Sequence, residues 1–246
     1  MTIPRRSLFL AVPAALALSG LSSARNASAG APGSPATLPT APGRTGVPLP
    51  APIGAHLAGQ IPPETTQLLL VIGDDRNADS GTASFWTREF DGWRARDTWP
   101  AHNGREGWTF DHHENDLRSP IGVYTLTDAG GLRPDPGTRL SYDRSDDFAI
   151  DGTGFAGEPL AGTFDHVIAI DYNRMPGTSP LDPVRPRGDA FGGDIWLHID
   201  HGGATHGCVT LPPEALVSLL RDLDPAAHPV AVLGDGPALA QDGPAS

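Results

Sequence analysis

From residue 60 to residue 236, one stretch alone carries an uninterrupted helical pattern. It is PPEALVSLLRDLD, residues 212–224. Proline opens it, an acidic residue follows in the first turn, and Leu216, Leu219, Leu220 and Leu223 form one apolar stripe. Elsewhere the pattern is broken by glycine and proline, 30 and 26 of the 246 residues. Glycine in a helix interior loses backbone entropy, and proline has no N–H to donate. The apolar runs that remain are short. TQLLLVIG (66–73) predicts a buried strand, and GTASFWTREFDGWRARDTW (81–99) predicts two strands around a turn at Asp91–Gly92. SPIGVYTLTDAGG (119–131) predicts one strand ended by glycines. FDHVIAIDYN (164–173), GGDIWLHID (192–200) and HPVAVLG (228–234) predict three more. The chain is therefore expected to be mainly β, with one clear helix near its C-terminus.

The first residues have another logic. Arg5 and Arg6 precede an apolar run from Leu8 to Leu18, too short to span a bilayer, and Ala27-Ser28-Ala29 follows. This order predicts a twin-arginine-type export signal over 1–29, cleaved after Ala29. Residues 30–59 are rich in Pro, Gly and Ala and predict an extended linker. A domain over 60–236 and a flexible tail over 237–246 complete the expected layout. The formal charge is -12, and every basic residue is an arginine. Such a balance excludes nucleic acid as a natural partner, because binding needs clustered cations to displace phosphate counterions.

An exported chain with a single cysteine makes no internal disulfide. Its thiol is exposed to oxidation unless it is buried or used. That residue is Cys208, in GATHGCVT (203–210). His206 lies two residues before it. If the stretch is extended, both project to one side with Cα atoms about 6–7 Å apart. His198 ends the preceding predicted strand, on the face opposite Ile195, Leu197 and Ile199. A cysteine nucleophile needs a neighbouring base, and backbone N–H groups beside Gly207 and Cys208 suit an oxyanion. The competing readings are a small buried core cysteine, or zinc held by His198, His201, His206 and Cys208, although their spacing matches no established site. DHHEND (111–116) reads as a polar loop before the next strand, and His201 as a solvated residue.

The stretch IWLHIDHGGATHGCVTLP (195–212) resembles the active-site segment of the L,D-transpeptidase catalytic domain family, also called YkuD-like. That segment has a His, a spacer, then Ser or Thr, His, Gly and Cys. ENDLRSPIGVY (114–124) resembles the family's acidic-Thr-Pro-x-Gly-aromatic element, with Ser119 in place of Thr. The Tyr-Asn pair of IDYNRMP and the closing LPPEALVSLLRDLDPAAHPVAVLG (211–234) also fit in order. The likeness covers about residues 65–234. Two departures stand out: the spacer between His198 and Thr205 is shorter than in the best-known members, and Thr210 stands where Asn or Arg follows.

The resemblance implies a β-sandwich or barrel domain with Cys208 as nucleophile and His198 as base. It implies that the Ile199 carbonyl orients the imidazole, that His206 supports the thiolate or oxyanion, and that Gly207 lends backbone to the oxyanion. Thr205, Tyr172 and Asn173 are the expected substrate-binding residues. The implied reaction is acyl transfer on peptidoglycan tetrapeptide stems, which serve as donor and acceptor, by a wall-associated monomer that needs no cofactor or metal. The alternatives are an L,D-carboxypeptidase on the same stems, or a wall-binding module of the same fold without turnover.

Overall fold

The structure, a computed structural model, describes residues 48–243. The expected export signal and most of the expected linker lie outside the described residues. Two five-stranded sheets carry the fold. The first contains β1 (Gln67–Gly73), β2 (Ser80–Glu89), β3 (Gly92–His102), β6 (Gly122–Thr125) and β12 (Val230–Asp235), in the order β3-β2-β1-β12-β6. The second contains β7 (Asp128–Gly131), β8 (Ser141–Arg144), β9 (Val167–Ala169), β10 (Trp196–Ile199) and β11 (Val209–Leu211), in the order β11-β10-β9-β7-β8. A short pair, β4 (Trp108–Thr109) and β5 (Ser119–Pro120), stands apart. Among the described residues, no helix is long and apolar enough to cross a membrane.

The apolar run of β1 is continuous because β1 is covered on both faces. Leu69 and Val71 join the main core with Ala83 and Phe85 of β2 and with Ile168, Leu197, Val209 and Leu211 of the second sheet. Leu68 and Leu70 point the other way, into a cluster with Val230, Val232, Leu57 and Leu239. The predicted helix is α2 (Pro213–Asp222), following the short α1 (Ala55–Ala58). Its Leu216, Leu219 and Leu220 are fully buried in the main core. Each such leucine contributes about 1.5–3 kcal/mol of apolar burial.

Two expectations about boundaries differ from the structure. Residues 54–58 do not hang free: Gly54 N–H donates to Leu239 O, His56 N–H donates to Gln241 O, and Leu57 is buried. The expected tail begins with α3 (Gly236–Leu239), whose Leu239 is fully buried. Each segment covers the other, so neither is legible as ordered from its own composition.

The single strand expected over 119–131 is three strands in three different sheets: β5, β6 and β7. The chain crosses between the two large sheets at Leu126–Thr127. A buried ionic cluster fixes this crossing. The Asp171 carboxylate accepts from the Thr125 and Thr127 hydroxyls at 2.5 and 2.9 Å. Arg174 pairs with Asp171 and, at 3.1 Å, with Asp128. Burial pushes the Asp171 carboxyl above its usual range in spite of Arg174 and the two threonines. Among the described residues, Arg174 is the only cation in this cluster. Its loss would strand two buried carboxylates, so Arg174→Ala should destabilise the fold by about 3–5 kcal/mol. Denaturant unfolding checks this, and a loss under ~1 kcal/mol would show that the crossing does not depend on the cluster.

Candidate active site

The expected alternation of β10 is observed. Ile195 and Leu197 enter the main core, whereas Trp196 packs on the outer face with Phe148, Val167, Phe164 and Cys208. β11 runs parallel to β10 with Leu197 opposite Val209 and His198 opposite Thr210. This register sets Cys208 beside Trp196, and the Trp196 N–H lies 3.4 Å from Cys208 Sγ. Cys208 and His198 therefore share one face. Both line a cavity of about 350 Å³ with His201, His206, Thr205, Phe155 and Phe164.

His198 has a defined tautomer. Its Nδ1 lies 3.0 Å from the Ile199 carbonyl, which only accepts, so Nδ1 carries the hydrogen. The ring stands edge-on to Phe164, with centroids 5.1 Å apart. Burial lowers the His198 imidazole to about 4. The neutral ring thus keeps a lone pair on Nε2. Burial also pushes the Cys208 thiol up to about 12, helped by the charge of Asp194 and opposed by the Trp196 N–H. In this arrangement the thiol donates to the Asp194 carbonyl at 3.3 Å. Both shifts favour a neutral thiol and a neutral imidazole over a thiolate beside an imidazolium.

The segment before Cys208 is a tight turn, not the extended stretch considered from sequence. Gly207 N–H donates to Thr205 Oγ1 at 3.1 Å, and Thr205 Oγ1 donates to the Cys208 carbonyl at 2.7 Å. Thr205 lines the cavity, but its hydroxyl is spent on shaping this turn. The Gly207 N–H is likewise committed, whereas the Cys208 N–H makes no hydrogen bond among the described residues. The turn is pinned from behind. Thr205 N–H donates to Asn103 O and Arg105 N–H to Thr205 O, at 2.9 and 3.0 Å. Ser119 Oγ accepts from Gly104 N–H at 2.9 Å and donates to the Gly207 carbonyl at 2.7 Å. Thr210 is fully buried, takes the His102 N–H at 3.1 Å and donates to Asp200 at 2.9 Å.

His206 sits at the cavity rim, exposed, with its ring 4.7 Å from Phe155, over which Arg105 lies. Tyr172 and Asn173, the other expected substrate contacts, do not line this cavity. The Tyr172 hydroxyl donates to the His112 carbonyl at 3.1 Å. The Asn173 amide donates to Gly188 and Gly192 carbonyls and accepts from Arg187 N–H. Tyr172 thus holds the 111–116 loop, and Asn173 holds the loop that leads into β10. DHHEND is the polar loop expected, where Asp116 accepts the N–H groups of His113 and Arg118.

The sequence reading missed one wall of the cavity and one histidine. Ile150, Thr153, Phe155 and Leu160 come from a glycine-rich loop that carries no element signal. An aromatic between Gly154 and Gly157 was the available hint. His201 is not solvated: its side chain is 6% exposed, and it lines the cavity.

A family model describing the L,D-transpeptidase catalytic domain (YkuD) matches residues 79–232, and the chain belongs to that family. No curated protein matches it. A solved structure, that of Bdellovibrio bacteriovorus Bd1075, is similar at 16% identity with a TM-score of 0.41. The match covers 70% of this chain and 48% of that one, so this chain spans about half the length of that relative.

Two outcomes follow from this pair, in which His198 is buried and Cys208 half-buried. Iodoacetamide should alkylate Cys208 more slowly at neutral pH than a free thiol of pKa ~8.5, with a rate still rising at the highest pH the fold survives. A plateau below that pKa would mean a stabilised thiolate instead. The His198 pKa is depressed from 6.5 to about 4, so the unfolded chain takes up a proton there that the folded one does not. Its contribution to stability is complete above 6.5 and is lost as pH falls toward 4. Denaturation midpoints across that window should slope less in His198→Gln, and equal slopes would contradict the burial.

Proposed function

We propose that this protein is an exported cysteine acyltransferase acting on peptidoglycan stem peptides, an L,D-transpeptidase. The observation that carries the reading is the cavity shared by Cys208 and a His198 whose Nε2 alone is left to accept a proton. Membership of the family supports the substrate class. The twin arginines and the apolar run of the N-terminus support export to the wall.

Cys208 is the nucleophile. Because the thiol is held neutral, it is activated as it attacks. His198 Nε2 takes the proton while Sγ bonds to the carbonyl of the third residue of a tetrapeptide stem. The thiol hydrogen leaves the Asp194 carbonyl when it is transferred to Nε2. The Ile199 carbonyl keeps the ring in the required tautomer. The Cys208 N–H is the better oxyanion donor, since that of Gly207 is engaged by Thr205. His206 and Phe155 at the rim contact the stem. The C–N bond to the terminal D-alanine breaks, and the proton on His198 goes to the departing amine. The thioester then passes to an amine of a second stem, closing a cross-link. Release to water instead would make the protein an L,D-carboxypeptidase.

Incubation with a tetrapeptide stem should add the mass of the tripeptide acyl group to the chain. Cys208→Ala should abolish the adduct, and His198→Gln should slow its formation by about 10²-fold or more. Cross-linked or trimmed stems in the supernatant distinguish the two outcomes of release. An unmodified chain and intact stems would leave a wall-binding module as the reading.

A further inference from the structure

We infer that His201, oriented by Glu158, is a second base in the cavity and serves the acceptor half of the transfer. The inference rests on the reading that Cys208 forms a thioester. The two imidazoles are built alike. His201 lies parallel to His198, with ring centroids 5.9 Å apart and planes 11° from one another. Its Nδ1 is 3.2 Å from Glu158 Oε1. A carboxylate accepts, so Nδ1 carries the hydrogen, and Nε2 of the neutral ring is a lone pair. His198 has the same division, with the Ile199 carbonyl in place of a carboxylate. That difference matters, because an anion behind the ring stabilises the imidazolium formed when Nε2 takes a proton, whereas a neutral carbonyl does so less.

Glu158 is placed with care. Its Oε2 accepts the Ala156 N–H at 2.8 Å. Hydrogen bonds from its own N–H and that of Ala156, with His201 beside it, hold its carboxyl below the ordinary range. The carboxylate lies between two glycines: a Cβ at Gly154 would come within 2.0 Å of Oε1, and one at Gly203 within 2.4 Å. Any side chain at either position would displace it. Glu158 thus ties the loop that forms one cavity wall to the segment between the histidine and the cysteine. It is a positioning residue, and His201 is the group that meets the acceptor.

Acylation and acceptor attack make different demands. The first needs a base for the thiol of Cys208. The second needs a base for an amine that adds to the thioester. An acceptor ammonium gives one proton to water before it adds. As the nitrogen bonds to the carbonyl carbon, the C–S bond breaks and its electron pair stays on Sγ. The second proton passes from nitrogen to His201 Nε2, and from there to the Cys208 thiolate. Both groups return to their starting state.

The test uses the full-length chain. It is loaded with a tetrapeptide stem, and acyl loss is followed by intact mass during a chase with D-methionine or hydroxylamine. Hydroxylamine is largely unprotonated at neutral pH, and because its nitrogen is weakly basic, its adduct is acidic enough to lose the second proton to water without a protein base. In His201→Gln, loss of the acyl group to D-methionine should fall by about 10²-fold or more. Acyl loading should fall by far less, and hydroxylamine should release the acyl group at close to the parental rate. Glu158→Gln keeps the size of the side chain and should show a smaller loss of the same pattern. Equal slowing with both amines, or loading and release falling together, would overturn the inference and leave His201 a structural residue. A parent chain that never acquires the adduct would overturn the thioester reading, and this one with it.

Discussion

The parallel pairing of β10 and β11 is the constraint on which the site depends. Parallel neighbours ordinarily need a crossover of about a dozen residues or more, because the chain must travel back along the strand before it can pair again. Here residues 200–208 alone make the return. The connection has no room for a helix, so its backbone polar groups are satisfied by whatever lies beneath. Asn103, Arg105 and Ser119 supply those partners. The return loop is thereby fixed as one edge of the cavity, and Cys208 emerges on the same face as His198. A slip of one residue in this register would turn the thiol into the main core.

The electrostatic character of the site follows from where that face lies. It is the outer face of the second sheet, roofed by Phe148, Phe164 and Trp196 rather than by water. Removing water disfavours charge on both partners, raising the thiol and lowering the imidazole. A pair held neutral is less open to oxidation than a standing thiolate. In the mechanism we propose, deprotonation is therefore coupled to substrate attack. The His201–Glu158 contact places a carboxylate-backed imidazole next to this pair, so one cavity contains imidazoles with two different kinds of hydrogen-bond partner.

Much of the fold was legible in the sequence, because strand and helix signals are local. The β1 run, the hairpin turn at Asp91–Gly92, the alternation through β10 and the stripe of α2 all appear where periodicity placed them. The run 119–131 failed because periodicity does not say which sheet a strand joins, and a crossing of two residues leaves the pattern unbroken. The burial of Leu57 and Leu239 was hidden for a related reason. Each is covered by the other's segment, nearly the whole domain away in sequence. Tyr172 and Asn173 looked like cleft residues by resemblance, yet their polar atoms are spent on backbone carbonyls, Tyr172 on that of His112 and Asn173 on those of the loop before β10.

The sequence by itself determined the class of fold, the family, the identity of the one thiol and the strand face that bears His198. These depend on residue type and short-range spacing. Only the tertiary structure decided that Gly207 has no N–H to spare, that Thr205 shapes a turn, and that burial favours the neutral form of both members of the pair. It also brought Glu158, His201 and Phe155 to the cavity. The reason is that hydrogen-bond partners and desolvation come from residues distant in the chain. Glu158 lies 43 positions before His201, and Ser119 lies 88 before Gly207.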